Sequence, residues 1–457
     1  MELTPRRHEL LSVFLLSFGT MFMYLGYDSQ SAFAESVVHS VNSRDPGRIS
    51  SYAGYYGQAI HYISFAFFTF FTASLQYYLS SKWMLVMASS IFTLYYTGYM
   101  YINTYIFYFS QCALGFGYAV YNSAEGAYLS EHSSARTIDS NTAFETGIGH
   151  MGLFLGGITM FIVLTFVPHK FEGHLMTFTE ETIRMIYGSL MALSFVSVII
   201  FLMLPTKQFN SIALNSNNRI TPSLRNQFER FGESMKHFNT ILLAMTFVYM
   251  GCMISFMYGI YPTSLSFTSS SGTDVYMITV YLFSAGIAAF TSAMVLRPMI
   301  KRLHKFKLVV PAAVHFIAMV GALTLAYMTV PNNATIRPTG PEEEAYLRPS
   351  RTITAIIGFL MGLSDVTITM CRTVICQIAV PDYRAEVFSL TRAYQCVASC
   401  VILFVSPVLT MTSWLVILLI GLTIGLGCLI TVLCRTHSND FVAPILPLKE
   451  ESPEILH

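Results

Sequence analysis

Apolar residues fall along this chain in twelve blocks separated by polar interruptions, each block long enough, at about 20 residues, to cross a bilayer as a helix. The first six centre on residues 10–27, 55–75, 83–101, 105–129, 142–164 and 183–204. The second six centre on 240–260, 275–296, 308–329, 352–380, 387–409 and 414–434. A polar stretch, 205–237, divides the two sets. This layout predicts an all-α membrane protein with twelve transmembrane helices in two pseudo-symmetric six-helix bundles, residues 1–204 and 239–434. A linker at 205–238 joins them, and a tail at 435–457 follows. Arg6 and Arg7 before the first block, with Ala32-Phe33-Ala34 after it, imitate a cleavable signal peptide. The block itself is 18 residues long, beyond the roughly 7–15 of a signal core, and predicts a retained span.

Composition narrows the class. With 54% hydrophobic and 11% charged residues, against about 25% charged in soluble domains, the chain needs the lipid bilayer as its solvent. A net charge of +1 offers no basic excess for nucleic acid. All eight cysteines lie in or at the end of apolar blocks, so no structural disulfide is expected. Cys396 and Cys400 share a helix face without His or carboxylate company, a spacing that predicts packing and not a metal site. No metal-ligand cluster, phosphate-binding glycine loop or hydrolase triad is present. Neither an enzyme nor a bound cofactor is expected.

Charge distribution then sets orientation. With the N-terminus inside, 17 Lys and Arg fall in cytosolic segments and 7 in outer ones, namely Arg44, Arg48, Lys170, Arg184, Arg337, Arg348 and Arg351. The bias predicts that both termini are cytosolic. The one glycosylation sequon, Asn333-Ala334-Thr335, lies in the outer loop after the ninth block, where Asn333 is a candidate acceptor. In the linker, Thr221-Pro222 opens a helix with Leu224, Phe228, Phe231, Met235 and Phe238 on one face and Arg225, Arg230 and Lys236 on others. Such a helix lies on the inner leaflet, and its simplest role is to space and anchor the two halves. The basic loop 297–307 is expected to fix topology or to touch anionic headgroups.

The candidate chemistry lies in residues 115–145 and their counterpart 247 positions later, 362–392. Gly115 corresponds to Gly362, Glu125 to Arg372 and Glu145 to Arg392. Ionisable residues in a bilayer are expensive unless paired or facing a wet cavity. Glu125, Glu145, Arg372 and Arg392 are therefore expected to form an inner latch across the two halves; the alternative is that each pairs within its own half. On the fourth block Gln111, Gly115, Tyr118, Asn122 and Glu125 recur at helical spacing, as do Gly358, Gly362, Asp365, Thr369 and Arg372 on the tenth. Gln111, Tyr118, Asn122, Asp365 and Thr369 accordingly outline a central cavity. Asp365 lies about 10 Å of helix from Arg372; it is either a proton or cation site or a group satisfied by Ser364 and Thr369. His61, Gln58, Tyr62 and His150 are expected as satisfied core groups.

Several of these stretches resemble one family. Gly115-Phe116-Gly117, Ala124-Glu125-Gly126-Ala127-Tyr128-Leu129 with the following EHSSARTIDSN, Gly362-Leu363-Ser364-Asp365, and LGYDSQSA, YYGQAIHYISFAFF and SSKW earlier are together similar to the Unc-ninety-three (uncoordinated) family of the major facilitator superfamily. The resemblance implies a major facilitator fold. It also implies the roles known in that family: an accessory or regulatory subunit of an ion channel, such as a potassium channel, or an escort of another membrane protein. Two departures stand out. Glu125 replaces the Gln that relatives often carry before the glycine, and Tyr121 stands near where an aromatic Trp is often found. The acidic-and-basic glycine motif of transporting major facilitators is absent from YYLSSKWML. The alternative expectation, carried by the polar stripes and Asp365, is a secondary transporter of a small solute by alternating access.

Overall fold

The first apolar block grows into a helix much longer than itself. Pro5 occupies the first helical turn, where its missing N–H costs nothing, and helix α1 runs from Pro5–Arg44, 40 residues. In this computed structural model, residues 4–134, 136–168, 170–172, 175–207, 209, 211, 224–302 and 308–440 are described. After α1 come α2 (Ala53–Thr69), α3 (Thr72–Tyr78), α4 (Ser81–Tyr95), α5 (Thr97–Met100), α6 (Thr104–Glu131) and α7 (Ile138–Phe166). A short antiparallel hairpin, β1 (Lys170–Glu172) with β2 (Leu175–Thr177), precedes α8 (Glu180–Leu202). Thr179 caps α8 by accepting from Thr182 N–H, and Glu180 and Glu181 in its first turn suit the positive end of the helix dipole.

The second set begins after α9 (Leu224–Lys236). Helix α10 (Phe238–Ser255) passes through one π turn, Phe256–Ile260, into α11 (Tyr261–Phe267). Then follow α12 (Met277–Arg302), α13 (Val309–Thr329), α14 (Arg351–Ile378), α15 (Arg384–Val405) and α16 (Met411–Asp440). Among the described residues nine helical stretches are long and apolar enough to cross a membrane: α1, α7, α8, α10 with α11, and α12 to α16. The second, third and fourth blocks form helices at the expected places but fall short of that measure. α2 stops after 17 residues and α4 after 15, while α6, at 28 residues, carries the polar stripe that lowers its hydropathy.

The two sets pack alike. In the first, α1 lies against α7 and α8, α6 against α2 and α4, and α4 against α8. In the second, α10 lies against α15 and α16, α14 against α12 and α13, and α13 against α16. Two seams join the sets, α7 on α12 and α2 on α15. The repeat is visible at single residues. A Cβ on Gly115 would collide with the His61 carbonyl on α2, and a Cβ on Gly362 with the Ala285 carbonyl on α12. Glycine at both places lets a backbone approach its neighbour directly, the usual device for close helix contact in a bilayer.

Helix α9 is not confined to one set. Its Phe228 and Phe231 rings pack on Phe70 and Phe71 at the end of α2, with centroids 5.1–6.4 Å apart. On its other flank Arg230 Nε donates to Glu386 Oε1 at 2.5 Å, and Tyr383 O–H donates to Glu233 Oε2 at 2.8 Å. The hydrogen bond and charge of Glu386 hold the Arg230 guanidinium above its ordinary pKa. The expected apolar face is shorter than the sequence suggested, because Phe238 begins α10 after a break at His237, and Thr221, Pro222, residues 303–307 of the basic loop and 441–457 of the tail lie outside the described residues.

Replacing Gly115 or Gly362 by Leu is expected to destabilise the protein by about 1–3 kcal/mol through forced separation of packed backbones. Thermal unfolding in detergent checks this, with Gly126→Ala, which meets nothing within 4 Å, expected to stay near wild type.

Candidate functional site

Contacts between the two sets pass among six ionisable residues of the transmembrane helices, Asp28, Glu125, Glu145, Asp365, Arg372 and Arg392. Helix α1 continues past Tyr27 without a break, so Asp28 sits well inside it. Asp28 is half-buried and, among the described residues, has no salt bridge and no hydrogen bond. Its field is felt by Tyr27, Tyr62, Tyr118 and Tyr258, and it repels Asp365 on α14. Tyr258, in the π turn after α10, donates to Asp365 Oδ2 across a long 3.5 Å contact. Each half thus contributes one half-buried acid to this region, and phenols lie near both.

Beside this pair, towards the end that carries residue 4, lie the four charges of the expected latch. Glu125 on α6 is half-buried and Glu145 on α7 is buried, and the two carboxyls lie near each other. Beside them Thr20 Oγ1 and the Tyr121 hydroxyl share a hydrogen bond at 2.7 Å. Arg372 on α14 is 9% exposed and donates from Nη1 to Gln395 Oε1 at 3.1 Å. Arg392 on α15 donates from Nη2 to Asn122 Oδ1 on α6 at 3.4 Å and lies 5.9 Å from the centroid of the Phe65 ring. None of the seven salt bridges among the described residues joins these four charges. Arg392 attracts Glu125, and Arg372 attracts Asp365, from beyond contact. The hydrogen bond that does cross between the halves here runs from Arg392 to the neutral amide of Asn122.

The remaining expected residues divide. Asn122 donates to its own helix at Tyr118 O, 2.8 Å, leaving its carbonyl for Arg392. Tyr118 stacks among Tyr24, Tyr27 and Phe65 at 4.8–5.8 Å. Thr369 is half-buried on the Asp365 face of α14. Gln111 lies elsewhere: it is 1% exposed and donates to Tyr95 and Tyr99 hydroxyls at 3.0 and 3.2 Å inside the first set. His61 accepts or donates at Tyr27 O–H, 3.2 Å, and Gln58 donates to Ser31 O at 3.2 Å. His150 Nδ1 bonds Thr146 O on its own helix at 2.7 Å. Asn333 Nδ2, the atom glycosylation would modify, donates to Glu343 Oε2 at 2.9 Å, and Thr335 of the same sequon is fully buried.

Sequence reasoning missed Asp28, Tyr258 and Gln395. Asp28 was hidden because the apolar run ends one residue before it, so it reads as a surface group at a span's end. Only the length of α1 moves it inside. Tyr258 and Gln395 carry no charge and no spacing signal.

A family model described as "Ion channel regulatory protein UNC-93" matches residues 45–430. The UNC93-like protein MFSD11 of Xenopus laevis is 23% identical over 438 residues, covering 92% of this chain and 94% of its own; that of Xenopus tropicalis is 22% identical over 441 residues with the same shares. Among solved structures, the partially occluded inward-open xylose transporter XylE from E. coli superposes with a TM-score of 0.64 at 12% identity, covering 93% of this chain and 97% of its own. The nucleoside transporter NupG does so with a TM-score of 0.56 at 13% identity, covering 92% and 98%. These likenesses establish the fold.

Asn122→Asp would convert the 3.4 Å contact into a charge-assisted pair and is expected to stabilise the protein by about 1 kcal/mol. Arg392→Gln is expected to destabilise it, and the double variant to lose the gain of Asn122→Asp. Thermal unfolding of the four proteins measures the coupling; additive effects would show that the two side chains do not interact.

Proposed function

Given that the chain belongs to the UNC-93 family and has the fold of major-facilitator transporters, we propose that it moves a small solute across the membrane by alternating access of its two six-helix halves. The observation that carries this reading is the Asp28–Asp365 pair. Two half-buried acids near enough to repel each other in a membrane interior are relieved when one takes a proton or a cation. Because one comes from each half, that relief changes the attraction between the halves. A group that binds one arrangement better than the other shifts the population between them. Asp28 and Asp365 are the coupling site, and Tyr258, Tyr118 and Asn122 line the path beside it. Thr369 faces the same space. Arg392 and Asn122 form the closing contact, with Glu125 and Glu145 as its reserve of negative charge and Arg372 behind it. The Lys and Arg bias supports cytosolic termini, which makes this a cytosolic gate.

A second reading rests on the family's description as ion channel regulatory proteins. In it the same two-state protein serves as an accessory subunit of an ion channel, a potassium channel being the type the resemblance suggests, or as an escort of another membrane protein. No catalytic step is proposed in either reading.

Liposomes holding the full-length protein separate the two. With an inward proton gradient and labelled sugar, nucleoside or organic acid outside, wild type is expected to accumulate at least one of them, and Asp365→Asn to lose about tenfold or more of that rate. No accumulation of any probe, together with a stably copurifying channel, would favour the accessory role instead.

A further inference from the structure

Arg372 reaches across from α14 to bond Gln395, which lies three residues from Arg392 on α15, so the two guanidinium groups are near neighbours in the membrane interior. Each guanidinium presents five N–H donors, and one on each finds a hydrogen-bond acceptor, Gln395 Oε1 for Arg372 and Asn122 Oδ1 for Arg392. The Arg372 Nε is buried with no hydrogen-bond partner at all. The ring of Phe388 lies 5.9 Å from Arg372, and that of Phe65 the same distance from Arg392; neither ring takes up a forked pair of donors. The acids that see these arginines, Asp365 and Glu125, do so without a salt bridge. An unused guanidinium N–H in a desolvated place is costly, and a planar or tetrahedral oxyanion would satisfy it together with the donors of the neighbouring arginine.

We propose that Arg372 and Arg392 form a binding site for an oxyanion, a carboxylate or phosphate group, between α14, α15 and α6, with Gln395 and Asn122 as its neutral donors. The inference rests on the transport reading in so far as the oxyanion is the solute's recognised group; the site itself does not require transport. Asn122 and Gln395 switch from accepting to donating by turning their amides, a change that costs no charge. The same chemistry has two sources, a free solute and the headgroup of an anionic lipid.

The test uses full-length protein in phosphatidylcholine nanodiscs, titrated with sodium phosphate or sodium acetate against sodium chloride at equal ionic strength. A parallel series replaces part of the phosphatidylcholine with phosphatidylglycerol. Phosphate or acetate is expected to raise Tm by about 1–3 °C near saturation; a rise in the phosphatidylglycerol series alone assigns the headgroup as the source. Arg372→Lys and Arg392→Lys keep the charge but lose the fork, and each is expected to weaken the apparent affinity about tenfold. Arg184→Lys, whose parent side chain lies over the Tyr101 ring outside this site, is expected to leave it unchanged. No rise beyond chloride in either series, or a rise that both lysine variants retain, overturns the site. Loss of liposome uptake with the Tm response intact removes transport and keeps the oxyanion site; uptake without any such response does the reverse.

Discussion

An ionised side chain is tolerated inside a bilayer when it is paired, hydrated or neutralised, and that constraint organises this molecule. The flanks that meet lipid are apolar: Phe109 on α6 and Ile317 on α13 are 75% and 71% exposed. Asp28, Glu125, Glu145, Asp365, Arg372 and Arg392 all turn away from such flanks to the region between the two halves. There they reach a compromise. Arg372 and Arg392 hold neutral amides, and Asp365 takes its hydrogen bond from the Tyr258 phenol while the arginines act on it from beyond contact. A fully paired cluster would lock one arrangement, because breaking a desolvated ion pair is costly. Charges held near each other but not in contact leave the halves free to exchange arrangements.

The two halves themselves were legible because hydropathy and the offset of 247 residues are properties of the backbone fold. Gly115 and Gly362 show why. Each is the small residue that a close helix crossing needs, so the repeat survives where packing enforces it. The pairing of the charges was less legible. Spacing along a helix places Glu125 or Arg372 on a face, but which partner it meets depends on side-chain reach across a seam, and here Asn122 intervenes at Arg392. Gln111 shares the helical stripe of Tyr118 and Asn122, yet it lies nearer the other end of α6, where α4 supplies Tyr95 and α5 supplies Tyr99 to satisfy it. The nine stretches that meet the length and hydropathy of a span, against twelve expected, reflect the same limit. Blocks read as continuous are broken at Phe70 and Tyr96.

Helix α9 gives the centre a mechanical counterpart. By stacking Phe228 and Phe231 on one half and tying Arg230 and Glu233 to the other, it spans the same end of the bundle as the Arg392–Asn122 contact. Any separation of the halves at that end has to slide or release it. The ties are one ion pair, a phenol–carboxylate hydrogen bond and ring contacts, individually weak, as a brace that must yield in the proposed exchange requires.

The central claim is that the halves exchange between two arrangements under the control of the acids at the seam. Spin labels on Gly126→Cys in α6 and Arg384→Cys at the start of α15, with the exposed Cys112 and Cys434 replaced, report the separation of the halves at the end that α9 spans. Electron–electron distance measurement in lipid is predicted to show two populations whose ratio moves when Asp365→Asn removes the charge near Asp28. A single narrow distance, the same with and without that substitution and at every pH, would contradict the account.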